Sequence, residues 1–182
     1  MIEEEEQRRL LMLARRALEA RVRGTAPPDV ETDASDPRSG AFVSIFSRGE
    51  LRGCLGRLTS NLPLPRMVSQ LAQAVADSDP RFDKVTPTEL TDLGLEISVL
   101  TREREIASVE EIEVGRHGLI VEQGPSRGLL LPQVATEFGW DRDTFLDHTC
   151  LKAGLAADAW RHGARIFVFE AQVFGERTQL HG

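Results

Sequence analysis

The sequence predicts an α+β domain: a mostly antiparallel sheet flanked by helices. Two observations carry this. Segments with the 3.6-residue apolar period of helices are mixed with short β-rich runs of period two. Several of those runs are joined by turns too short for the crossover that parallel strands need. The 182 residues, 41% hydrophobic and 28% charged, fit one globular domain, or one domain with a small lobe, able to bury a core.

The elements follow in order. Residues 4–23 predict a helix, with Leu10, Leu11, Leu13, Ala14 and Leu18 on one face, glutamates at the positive end of its dipole, and Gly24 as a stop. Residues 24–40 are rich in Pro, Gly, Asp and Ser and read as an exposed linker. "AFVSIFS" and "LRGCLGRL", separated by "RGE", predict a hairpin of 41–47 with 50–58. Leu64, Met67, Val68, Leu71, Ala74 and Val75 then have helical spacing. A loop, "SDPRFDKV", leads to a short helix announced by a capping box, Thr86 three residues before Glu89 with Pro87 between.

"LGLEISVLT" is the clearest strand, with Leu95, Ile97 and Val99 on one face. Ser108 and Glu111 repeat the cap pattern. "HGLIVEQGPSRGLLL" reads as two strands around a Gly/Pro turn. "PQVATEFGW" and "DRDTFLDHTCLKAGL" read as two helices, the second capped by Asp141 and stopped at Gly154. "RIFVFEAQVF", 165–174, is a final strand.

Composition excludes some functions. A formal charge of −7, from 22 Lys+Arg against 29 Asp+Glu, argues against broad nucleic-acid binding, which needs many phosphate contacts. No apolar run approaches the roughly 20 residues of a membrane span. The N-terminus places acids before apolar residues, unlike a secretory signal, so a cytoplasmic protein is expected, with Cys54 and Cys150 as free thiols. Two cysteines and four scattered histidines give no zinc signature, so neither a metal nor another cofactor is expected.

The chemistry-bearing stretch is "LRGCLG". In a regular strand Arg52, Cys54 and Gly56 share a face, with open space at Gly56, and a cation beside a thiol raises its thiolate fraction. Gly53 and Gly56 permit close approach of backbone or ligand. This is a nucleophile site or an anion cradle. The same residues also read as a buried small cysteine, an exposed arginine and glycines at a bulge.

In "SDPRF", Asp79 and Arg81 flank Pro80 at a helix exit, either as site residues or as a local ion pair, with Phe82 aiming the loop. His117 opens a strand, where it is either a proton carrier or an ordinary polar residue at the surface. Cys150 reads as core, His148 and Lys152 share a helix face, and Trp140 and Trp160 read as packing. No phosphate loop, dinucleotide fingerprint or hydrolase elbow occurs.

Taken together, "LRGCLG", "DPRF", "LEISVLT", "HGLIV", "LLPQVATEFGWD" and "FLDHTCLKAGL" resemble the AMMECR domain family, whose bacterial and archaeal members are called AmmeMemoRadiSam system protein A. The likeness runs from about 40 to 175 within a single domain of 1–182. Matching positions are Leu51, Arg52, Gly53, Cys54, Gly56, Asp79, Arg81, Phe82, His117, Gly118, Pro132, Trp140 and Lys152. The resemblance implies a larger and a smaller lobe with a cleft between, lined by the hexapeptide. It also implies a Memo-like protein and a radical-SAM protein as partners, without naming a reaction.

On that basis the expected function is an enzyme or enzyme component acting on a small molecule or peptide. Cys54 serves as nucleophile or thiol ligand, His117 and Asp79 handle protons, and Arg52, Gly53, Gly56 and Arg81 bind the ligand. The alternative is an adaptor using the same motif as a docking surface.

Overall fold

The computed structural model describes residues 2–31 and 40–176. Within the predicted linker, 24–40, residues 32–39 fall outside the described residues. The elements are α1 (Glu4–Arg23), β1 (Gly40–Ser47), β2 (Glu50–Arg57), α2 (Leu64–Val75), β3 (Leu93–Leu100), β4 (Arg104–Glu105), β5 (His117–Gln123), β6 (Ser126–Leu130), α3 (Pro132–Phe138), α4 (Arg142–Lys152) and β7 (Arg165–Gly175). Short 3-10 turns lie at Pro87–Glu89, Val109–Glu111 and Ala159–Arg161. The α+β class with antiparallel pairing is as the sequence predicts. The two-residue strand β4 is not announced by any pattern, because so short a run has no period to detect.

The chain forms two compact units. One comprises residues up to Leu100 and those from Gln172 onward; the other is Thr101–Ala171. In the first unit the strand order is β2-β1-β3-β7, with β2 at the edge. Val43, Ile45, Leu95, Ile97 and Val99 are buried with the apolar faces of α1 and α2 in one cluster. The alternation of these strands therefore sends every second side chain toward the helices and leaves the other face half exposed.

In the second unit β7 lies between β4 and β5, and β6 closes the other edge. Leu119, Phe145, Leu146, Ile166 and Val168 form its main core. Cys150 is fully buried beside Val121 and Ala159, in agreement with its core reading. Burial pushes its thiol pKa up.

Candidate functional site

Local backbone chemistry decides where the "LRGCLG" side chains point. Arg48 and Gly49 both have positive φ, 51° and 84°, the turn that suits a two-residue hairpin. That turn pairs Ser47 with Glu50 and Phe46 with Leu51. Continued without a break, it would set Ser44 opposite Gly53. Instead the register shifts after Phe46, and Ile45 pairs with Gly53 and Ser44 with Cys54. Arg52 is the extra residue of a β-bulge.

The bulge changes which residues share a face. Gly53 turns toward the helices: a Cβ there would stand 3.1 Å from Val75 Cγ2 and 3.3 Å from Ile45 Cγ1. Cys54 turns to the opposite face beside Ser44, whose Oγ donates to Sγ at 3.1 Å. The expected open space at Gly56 is filled, since a Cβ there would fall into the Phe42 ring. Nor does Arg52 sit free beside the thiol. Its Nε donates to Glu89 Oε1 at 2.9 Å and its Nη2 to the Lys84 carbonyl at 3.3 Å. Glu89 also accepts the Thr86 amide at 2.7 Å, completing the predicted capping box. Arg52 first, and the Thr86 bonds after it, hold the Glu89 carboxyl below the ordinary range.

The backbone of Cys54 is held from the edge side of β2. Its N–H donates to Asp79 Oδ2 at 3.0 Å, and its carbonyl accepts from Arg81 Nη2 at 3.2 Å. Asp79 is buried and also accepts from Arg81 N, Nε and Nη2, at 3.1, 3.0 and 2.8 Å. The Arg81 guanidinium, aided by the two backbone N–H groups, holds its carboxyl far below the usual carboxylate range against the opposing effect of burial. Asp79 is therefore an anion at neutral pH, and this geometry suits it to holding Cys54 rather than to carrying a proton. Arg81 bridges the carboxylate and the cysteine carbonyl, and its ring neighbour is Phe82, 5.4 Å from Cζ to the centroid.

Two neighbours of Cys54 escaped the sequence reading. Ser44 pairs with Cys54 on one side and with Glu96 of β3 on the other. The row Cys54, Ser44, Glu96 thus crosses three strands on the face away from the helices. Burial raises the Glu96 carboxyl above its ordinary value. Period-two alternation gives both Ser44 and Glu96 the appearance of a solvated face; only the register brings them to the thiol.

The remaining predicted residues lie in the second unit. His117 is buried at the start of β5, where Nδ1 accepts the Glu113 amide at 3.0 Å and Nε2 lies 3.6 Å from Glu170 Oε1. Trp140 packs on the core and stacks with His148, 3.9 Å away at 3°, and with Phe138, 5.0 Å away at 17°. Trp160 packs on the same core, and its Nε1 donates to Asp147 at 2.7 Å. Lys152 is exposed at the end of α4. Among the described residues no group of three or more His, Cys, Asp or Glu side chains could hold a metal ion. No described helix is long and apolar enough to cross a membrane.

Known proteins share this arrangement of elements. The AMMECR1 family model matches residues 11–174, a span that takes in most of α1 as well as the hexapeptide. A protein of Thermofilum pendens is 46% identical over 93% of this chain and 89% of its own length. One from Methanothermobacter thermautotrophicus is 44% identical over 94% and 95%. The crystal structure of the uncharacterized protein PH0010 from Pyrococcus horikoshii superposes with a TM-score of 0.75 at 39% identity, covering 96% of this chain and 93% of that one. With a family model spanning the hexapeptide, the Asp79–Arg81 clamp and the second unit, the chain belongs to the AMMECR1 family.

Proposed function

We propose that the protein is an enzyme, or the catalytic component of one, that uses the Cys54 thiol as nucleophile on the open face of the first unit's sheet. The observation that carries this reading is the way the thiol is presented. Both backbone polar groups of Cys54 are clamped by Asp79 and Arg81, its sulfur takes a hydrogen bond from Ser44, and the residue is half-buried rather than enclosed. A small core residue needs none of this. A nucleophile does, because an attacking atom held in one place reacts faster than a free one.

In this reading Asp79 and Arg81 position Cys54, and the exposed part of Arg81 offers a cation to an anionic group of the substrate. Arg52 braces the bulge through Glu89. His117 belongs to the second unit, where its Nδ1 accepts the Glu113 amide, and its part as a proton carrier is tested by itself with His117→Gln. The working site is the cytoplasm, where the two thiols stay reduced, and the partners are a Memo-like protein and a radical-SAM protein.

Leu51 within the hexapeptide and Leu58 just after it, at 40% and 43% exposure, favour a second reading in which this edge docks a partner. Metabolite profiles and pull-downs from a strain carrying Cys54→Ser separate the two. Sulfur to oxygen barely changes shape but removes the good nucleophile. The enzyme reading expects partner binding retained and the product lost. Full output from Cys54→Ser would overturn it in favour of docking.

A further inference from the structure

Resting on the nucleophile reading, we propose that Glu96 is the acid–base residue of the Cys54 site and that the substrate is a small acyl donor, an ester or amide, laid across β1 over Ser44.

The sheet register places the two groups. Cys54 and Glu96 are the partners of Ser44 on its two sides, so all three side chains leave the same face. Neighbouring strands are spaced at about 4.8 Å, which sets the backbones of Cys54 and Glu96 about 10 Å apart with only a serine side chain between them. Side chains leaving those two positions over Ser44 can bracket a small acyl group. Along β1, Phe42 and Phe46 stand two residues either side of Ser44, both half buried, and supply apolar walls. Opposite Phe46, β3 carries Gly94 and no side chain.

Glu96 differs from four other acids of the first unit. Asp77, Asp79, Glu89 and Glu176 each pair with an arginine of the first unit. Among the described residues the Glu96 side chain has no hydrogen bond or ion pair, and burial alone acts on its carboxyl, raising it above its ordinary value. A half-buried carboxyl without a partner costs stability, and a proton donor for a reaction has that character.

The chemistry of the pair selects the substrate class. A thiolate alone displaces halide or another good leaving group. A second group that gives a proton is needed only when the departing atom is basic oxygen or nitrogen. The Cys54 thiolate forms a C–S bond at the carbonyl carbon. The C–O or C–N bond breaks with its electron pair going to the departing atom, and that atom takes the Glu96 proton. Water then adds to the thioester carbonyl and gives a proton to the Glu96 carboxylate. The C–S bond breaks with its pair returning to sulfur, leaving a carboxylic acid and the starting enzyme.

The test is Cys54 modification in the full chain, followed by mass spectrometry in the native protein and Glu96→Gln. The probes are iodoacetamide, p-nitrophenyl acetate and phenyl acetate. The first two have leaving groups that depart without help, and the third needs a proton more. Glu96→Gln is expected to leave the first two rates within about twofold and to slow acylation by phenyl acetate about tenfold or more. The acetyl-Cys54 intermediate should also persist longer in the variant. Iodoacetamide reports in the same samples that Cys54 is intact and presented. A variant that reacts like native protein with all three probes, or is slowed equally with all three, overturns the role of Glu96 and leaves the nucleophile standing. A native Cys54 inert to iodoacetamide overturns the nucleophile reading itself.

Discussion

Asp79 Oδ2 accepts the backbone N–H of Cys54 at 3.0 Å, across 25 residues of sequence. β2 is an edge strand, so the outward polar groups of Cys54 have no neighbouring strand to satisfy them. The loop carrying Asp79 and Arg81 supplies an acceptor to one and a donor to the other, as a further strand would. It also denies that stretch of edge to a foreign strand.

Removing the clamp should therefore cost stability and presentation together. Asp79→Ala leaves the Cys54 N–H without its acceptor and frees Arg81, a loss of about 1–3 kcal/mol. Asp79→Asn keeps an acceptor and should lose less. Urea unfolding of both variants measures the cost. A Cys54 alkylation rate that becomes more like that of a flexible thiol accompanies it if the clamp positions the sulfur. Native stability in Asp79→Ala would mean the edge is held by something else.

The charge state of the clamp sets a pH dependence. Asp79 and Glu89 both have folded-state pKa values below their ordinary ones, chiefly because of Arg81 and Arg52. A carboxyl depressed by folding contributes stability in full above its unfolded pKa, about 3.9 for Asp and 4.3 for Glu. The contribution fades as pH falls toward the folded value. Glu96 acts oppositely: its raised carboxyl means that the ionised form weakens the fold and protonation relieves it. The urea midpoint of the native protein should hold from neutral pH to about 5 and fall below about 4. Asp79→Asn should flatten that fall, and Glu96→Gln should raise the midpoint at neutral pH. Unfolding curves taken at half-unit steps in pH check all three slopes.

Most of the fold could be read from residue patterns. The helix at 4–23, the hairpin, the caps at Thr86 and Ser108 and the long last strand each rest on periodicity or cap chemistry carried within a few neighbouring residues. The site was legible only in part. Cys54, Asp79 and Arg81 stand out as separate signals, but a strand pattern cannot say that Arg52 is an inserted bulge residue. Counting from the turn without the bulge pairs Ser44 with Gly53, and the thiol's neighbours are then wrong. Glu89 as the partner of Arg52, and Phe42 as the occupant above Gly56, are tertiary contacts with no local signature.

The bulge residue Arg52 and its neighbour Gly53 should respond to substitution for different reasons. Gly53 faces the core, where Val75 and Ile45 already stand at contact distance from a Cβ. Gly53→Val should overpack that layer and cost about 1–3 kcal/mol. The Arg52 side chain is 17% exposed and bonded to Glu89, so Arg52→Ala should also destabilise, by about 1.5–3 kcal/mol, rather than pass unnoticed. The mechanisms separate in a double-mutant cycle. Arg52→Ala and Glu89→Gln should couple by about 1 kcal/mol, and Gly53→Val with Glu89→Gln should be additive. A coupling near zero for the first pair would show that the ion pair does not brace the bulge.

The two thiols give the most direct reading of the site. Cys150 is fully buried against Val121 and Ala159, and burial raises its pKa, so both access and thiolate fraction are low. Cys54 is only half-buried on the face of the sheet away from the helices, with the Ser44 hydroxyl donating to its sulfur. In the native protein at neutral pH, iodoacetamide should therefore modify Cys54 at least tenfold faster than Cys150, with Cys150 catching up only in denaturant. Ser44→Ala removes the donor without touching access. It should slow Cys54 by severalfold and leave Cys150 unchanged. Peptide-level mass spectrometry at timed intervals gives both rates in one sample. If the two cysteines label together, and only on unfolding, the thiol is a packing residue and the sheet face has no nucleophile.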